Sequence, residues 1–199
     1  MTTRSAHHLV PFFLLSALFL GCVTHIKPST ETNPRPSERF SDFNRFELRP
    51  VQAGSAEVAN QKAALDKIER NIQERLGVRV RQWNSQPPDA PIRTLLIEPT
   101  VTEMEFVGGA RRVWFGALAG SSAVVLKARI SERETGNPVA TPEFYSRSSA
   151  MSGAYSFGAN DNAMLTRIAN ALAVYVLNNY KSAVGGSVMP PDVEASSIP

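Results

Sequence analysis

The residues able to make or break bonds are few in this chain and sit at its beginning. There is one cysteine, Cys22, and there are three histidines, His7, His8 and His25. Nucleophilic catalysis by a hydroxyl or thiol needs an imidazole or another base within hydrogen-bond reach. A zinc centre needs about three or four nitrogen, sulfur or oxygen ligands converging on one point. Beyond His25 the sequence contains neither Cys nor His. A Ser-His-Asp or Cys-His arrangement and a Cys/His metal site are therefore excluded from a domain built of the later residues, and no metal, cofactor or catalytic residue is expected. Acids remain. Glu98, Glu103, Glu105 and Glu143 are the candidates for a hydrolase's carboxylate pair, which works with its carboxyl groups about 5–9.5 Å apart. Acids at strand ends are ordinarily just solvated, so a hydrolase is the alternative reading. A carrier of small ligands or lipid is a third, and needs a sizeable apolar cavity.

A different chemistry, that of an interface, is suggested by residues 107–120, VGGARRVWFGALAG. Glycines this dense mark a loop, and this one carries Arg111, Arg112, Trp114 and Phe115. Trp and Arg concentrate binding energy at interfaces, and a basic pair beside aromatics also suits an anionic headgroup surface. These four residues are the candidate contacts for a partner protein, a second copy or the bilayer. The plainer reading is a loop that docks Trp114 on its own sheet. No Gly-Lys-Ser/Thr phosphate loop occurs. The formal net charge of +3 is small, and nucleic acid is not an expected partner.

The leader gives Cys22 its meaning. An apolar run from Leu9 to Leu20 follows Arg4. It is shorter than the ~20 residues a membrane-spanning helix needs and in the range of a secretory signal. Pro11 near its start would also interrupt a spanning helix. No Ala-x-Ala site precedes Lys27; instead Leu18-Phe19-Leu20-Gly21 leads directly into Cys22. This stretch resembles the lipobox of bacterial lipoproteins, with Phe19 where Leu is commonest and Leu20 larger than usual. The resemblance implies removal of residues 1–21, loss of His7 and His8, and acylation of Cys22. Three acyl chains anchor stably, where one myristoyl chain binds only marginally. Val23 rather than Asp follows the cysteine. By analogy with lipoprotein sorting, the expected location is the outer membrane, facing the periplasm, with outer-membrane lipid as the first partner and a protein partner or self-association as the second.

The remaining elements follow from patterning. Residues 22–40, rich in Pro, Ser, Thr and charge, are expected to form a flexible tether, and residues 184–199 a flexible tail. Residues 41–183 are the right length for a single domain. Phe43, Phe46, Leu48 and Val51 suggest a first strand interrupted by Pro50. Ser55 is a candidate N-cap with Glu57 in the first turn. Leu65, Ile68, Ile72 and Leu76 form one helix face, closed by Gly77 as C-cap, with Asp66 and Arg70 paired on the polar side. The alternation over Val78–Trp83 reads as a half-buried strand with Val78 and Val80 inward. Arg93–Val101 reads as a central strand in which Pro99 should stop or bulge the pairing. Residues 122–131 alternate and, through the turn at Glu134–Pro138, form an antiparallel hairpin with Val139–Ala150. Leu165, Ile168, Leu172, Tyr175 and Val176 place an apolar stripe on a last helix of about 18 residues. The sum is an α+β fold, a mixed sheet of about five strands with two main helices packed on one face.

Two stretches carry a family resemblance. Leu95-Leu96-Ile97-Glu98-Pro99-Thr100-Val101-Thr102 precedes the Gly/Arg-rich segment. Ala123-Val124-Val125-Leu126-Lys127-Ala128-Arg129-Ile130 precedes the Glu134-Thr135-Gly136 turn. Together they are similar to bacterial lipoproteins carrying the domain of unknown function 4410, over about residues 40–182. Glu134 stands where Asp is more typical. That family has no established activity, so the resemblance implies a lipoprotein and supplies no chemistry.

Overall fold

The computed structural model describes residues 26–88, 91–106, 121–148 and 159–189. Its centre is a pair of long antiparallel strands, β4 (Thr94–Glu105) and β5 (Ala123–Glu132). Two short strands, β2 (Arg45–Leu48) and β3 (Gln52–Ala53), run parallel to β4 on its other side. On the far side of β5, β6 (Pro138–Ala140) and β7 (Glu143–Arg147) pair antiparallel. The sheet is thus mixed and six-stranded, and the fold is α+β as its patterning implies. One face buries Leu95, Ile97, Val101, Val124, Leu126, Ile130 and Phe144 against the helices.

Pro99 does not stop the ladder, contrary to the sequence-based expectation. It sits opposite Ala128, whose N–H donates away from β4 to the Pro142 carbonyl (2.9 Å). The two residues form a non-hydrogen-bonded pair, so the proline ring nitrogen points to the side where β2 has ended and β3 has not begun. The irregularity comes two residues later, between Val101 and Glu103.

The helical layer starts as expected and then departs. Ser55 caps α1 (Ala56–Ala59), its Oγ accepting from the Val58 N–H at 3.3 Å. α2 (Lys62–Ile72) continues through a π-helical stretch, Gln73–Gly77, into α3 (Val78–Trp83). Gly77 is therefore no stop, and residues 78–83 are helix rather than strand. The reason lies in a second periodicity. Ala64, Ile68, Ile72, Leu76 and Val80 are all buried and step by four. On a regular helix each such step drifts about 40° around the axis. The wider π turn takes up part of that drift and keeps the stripe on the sheet. Val78, expected inside, is 48% exposed. Gly77 is buried in ordinary helical geometry, and a Cβ there would collide with Gln73 Oε1. That amide is committed, since Gln73 Nε2 donates to Glu69 Oε1 (2.8 Å) while Glu69 Oε2 accepts from the Val51 N–H (2.6 Å). α4 (Ala159–Lys181) is longer than expected and crosses the same sheet face, burying Ile168, Leu172 and Val176. At its far end Tyr180 stacks on Trp83 (4.4 Å, 6°), which leans on Phe46 (4.7 Å).

The largest difference from the sequence reading lies in the segments expected to be loose. β1 (Thr32–Asn33) pairs antiparallel with β8 (Gly186–Ser187), and this ribbon lies along the edge of β7. Asn33 is buried, and its Nδ2 donates to the Glu143 carbonyl (2.7 Å) while its Oδ1 accepts from the Glu143 N–H (2.8 Å). One side-chain amide thereby replaces a strand residue. The Tyr145 N–H donates to the Val188 carbonyl (3.0 Å) and the Ser37 N–H to the Val139 carbonyl (2.9 Å). Buried Asn179 turns the chain into β8: its Oδ1 accepts from the N–H groups of Val184 and Gly185 (2.8 Å each). Gly185 has φ +79°, and a Cβ there would meet the Asn33 carbonyl at 2.5 Å. Only glycine serves at that turn.

An Asn33→Ala change strands two buried backbone groups of Glu143, each costing about 1–3 kcal/mol when unsatisfied. Urea unfolding should show a loss of roughly 2–4 kcal/mol at unchanged m-value, whereas a change below ~0.5 kcal/mol would mean that the seam carries no stability.

Candidate functional site

Cys22 and the four interface candidates, Arg111, Arg112, Trp114 and Phe115, lie outside the described residues. The described strands do fix at which end of the sheet residues 107–120 connect. Glu105 and Ala123 are register partners at the end of β4 and β5, so residues 107–120 join the two central strands at that end of the sheet.

The registers of β4, β5 and β7 place the four candidate acids. Glu98 faces Arg129 across the β4–β5 ladder, its Oε2 accepting from Arg129 Nη1 at 3.1 Å. A cavity of about 420 Å³ on this outer face is lined by Glu98, Thr100, Lys127 and Arg129 and holds no second carboxylate. Glu103 and Glu105 sit further along β4, opposite Val125 and Ala123. Glu143 is buried and serves the N-terminal segment: Ser29 donates its N–H and its Oγ–H (2.7 Å) to the carboxylate, and Lys127 Nζ lies 3.2 Å away. Burial pushes the Glu143 carboxyl upward. The Ser29 bonds and the Lys127 charge outweigh that push and hold it below the usual carboxylate range.

A second polar cluster occupies the opposite end of the sheet, and nothing in the sequence pattern marked it. Arg93 donates from Nε to Glu132 Oε1 (2.6 Å) and from its two Nη atoms to both oxygens of Glu38 (3.0 and 3.2 Å). Its guanidinium lies 4.5 Å from the centre of the Phe43 ring. Glu132 also accepts from Thr135 Oγ1 (2.8 Å), and these bonds from Arg93 and Thr135 lower its carboxyl. Glu134 Oε2 accepts from the Thr94 N–H (2.8 Å). These groups bind one another and the backbone, closing the β5–β6 turn over the start of β4. The contacts span 39 to 55 residues of sequence, which no local pattern reveals.

Beyond these polar clusters, the outer face has a small apolar one. Ile26, Ala123, Val125, Tyr145 and Val188 are buried together there. Ala123 and Val125, on the same strand face as Lys127 and Arg129, are covered by the two terminal segments. Among the described residues no three His, Cys, Asp or Glu side chains are grouped to hold a metal, and no described helix is long and apolar enough to cross a membrane.

No family model matches the sequence, that of the expected lipoprotein family included, and no curated protein matches it. Solved structures do. The PelC dodecamer from Paraburkholderia phytofirmans aligns with a TM-score of 0.41 at 12% identity, covering 75% of this chain and 97% of that one. A protein from Xanthomonas campestris of family DUF330 aligns with a TM-score of 0.41 at 14% identity, over 77% of this chain and 95% of that one. A lipoprotein from Neisseria meningitidis aligns with a TM-score of 0.27 at 16% identity, over 65% and 99%. At such scores the likeness carries no inference about activity.

A carboxylate whose folded pKa is lowered stabilises the protein above its unfolded pKa, and that contribution is lost as pH falls through the folded value. Glu143 and Glu132 should therefore make stability fall as pH drops through and below the ordinary carboxylate range, near pH 4. Glu143→Gln should flatten that decline in urea titrations taken at several pH values; an unchanged slope would mean that the Ser29–Lys127 arrangement does not bind the ionised form.

Proposed function

We propose that this chain is a lipid-anchored cell-envelope lipoprotein, acylated at Cys22 and held at the outer membrane facing the periplasm. Its α+β domain, of the kind borne by lipoproteins with the domain of unknown function 4410, acts as a non-catalytic binding or assembly module. The observation that carries this reading is the register at the end of the central hairpin. The pairing of Glu105 with Ala123 makes the two longest strands a rigid base for the segment bearing Arg111, Arg112, Trp114 and Phe115. Binding residues belong on loops that a scaffold positions. The acids support the same reading from the other side. Glu143 and Glu132 are bound to the protein's own serine, threonine, lysine and arginine groups, which is the employment of structural carboxylates rather than of a general acid and its partner.

Radiolabelled palmitate should enter the wild type and not Cys22→Ser. In membranes, chemical crosslinking should capture a protein partner or a second copy, and Arg111→Ala combined with Trp114→Ala should abolish that capture while leaving the urea midpoint unchanged. Undiminished capture by the folded double variant would remove the loop from this account, and palmitate in Cys22→Ser would remove the anchor.

A further inference from the structure

The anchor and the fold together set an orientation. Four contacts trace the path of the N-terminal segment along the outer edge of the sheet. Ser37 binds Val139 of β6; Asn33 and then Ser29 bind Glu143 at the start of β7; Ile26 packs with Tyr145, Val125 and Ala123. Read from residue 37 back to residue 26, the chain advances steadily toward the end of the sheet where Arg147 pairs with Ala123. Ile26 lies four residue steps after Cys22, a reach of at most about 14 Å. β4 alone has 12 residues and so is about 36 Å long from end to end. The residues between the anchor and Ile26 cannot span the length of the domain.

We infer that the Ala123–Arg147 end of the sheet rests at the lipid surface, with the Arg93 end directed away from it. The inference rests on the proposed acylation of Cys22. The occupant of this end is the bilayer surface itself. The N-terminal part of α4 lies at the same end, since Arg167 Nη2 donates to the Arg147 carbonyl at 2.7 Å. The polar cluster around Arg93, Glu38 and Glu132, about 36 Å off, is the part presented to the periplasm.

The test uses the full-length acylated protein in vesicles of phosphatidylethanolamine and phosphatidylglycerol doped with headgroup spin-labelled lipid. Acylation consumes the only native thiol, so an introduced cysteine is unique to a maleimide fluorophore. Ala163→Cys places the dye on an exposed position of the first turns of α4, and Ile92→Cys on an exposed residue at the start of β4. The dye at residue 163 should be quenched and the dye at residue 92 should keep its emission. Inserting about ten glycine and serine residues between Val23 and Thr24 lengthens the tether and should relieve the quenching at residue 163. Equal quenching at both sites, or the reverse order, in a protein whose wild type takes up no dye would overturn the orientation and leave the anchor standing. Uptake of dye by the wild type at Cys22 would overturn both.

Discussion

The side-chain amide of Asn33 against the backbone of Glu143 is the contact on which the docking of both terminal segments depends. β7 is a sheet edge, and a bare edge is a row of unmet donors and acceptors that invites another chain. Asn33 meets one N–H and one carbonyl of that row with a single group, and the Val188 carbonyl meets the next donor, on Tyr145. The β1–β8 ribbon that supplies both is itself only two residues long on each strand, so it stands because Asn33, Gly185 and Asn179 hold it. Both terminal segments are thereby brought onto one flank of the domain.

Closing the edge this way has a consequence for everything attached to the N-terminus. A lipid at Cys22 would be joined to a folded surface four residues later, not to a long free linker. The domain has one polar cluster midway along β5 and another at its Glu132 end. Glu143 with Ser29 and Lys127 secures the N-terminal segment on the outer face, and Arg93 with Glu38 and Glu132 secures the opposite turn. Both sets serve the fold. The described strands place the connection from β4 to β5 at the Glu105–Ala123 end of the sheet.

Local patterning exposed much of this architecture and missed the parts that depend on distant partners. β4, β5, their hairpin with β6 and β7, the Ser55 cap and the α4 stripe all follow from alternation, turn residues and steps of three or four. Residues 78–83 read as strand because Val78-Arg79-Val80-Arg81 alternate as well as they wind. The stripe that decides it runs back through Leu76, Ile72 and Ile68. Pro99 was misjudged because its effect depends on which edge its nitrogen faces, a matter of register with β5. The docked termini were invisible because composition averages over a window, while Asn33, Ile26 and Val188 act singly and across more than a hundred residues. The acids and residues 107–120 were legible as candidates. That Glu143 is structural was not, since its partner Ser29 lies in a stretch that reads as solvent-loving.

Native-state amide hydrogen exchange across residues 26–40 and 184–189 tests the central claim most directly, because it asks whether the termini belong to the fold. The structure requires the amides of Ser37, Glu143, Tyr145 and Gly185, each bonded across the seam or within the Asn179 turn, to exchange far more slowly than in a free peptide. Exchange of residues 26–40 and of the Glu143 and Tyr145 amides at free-peptide rates, while β4 and β5 stay protected, would contradict the account.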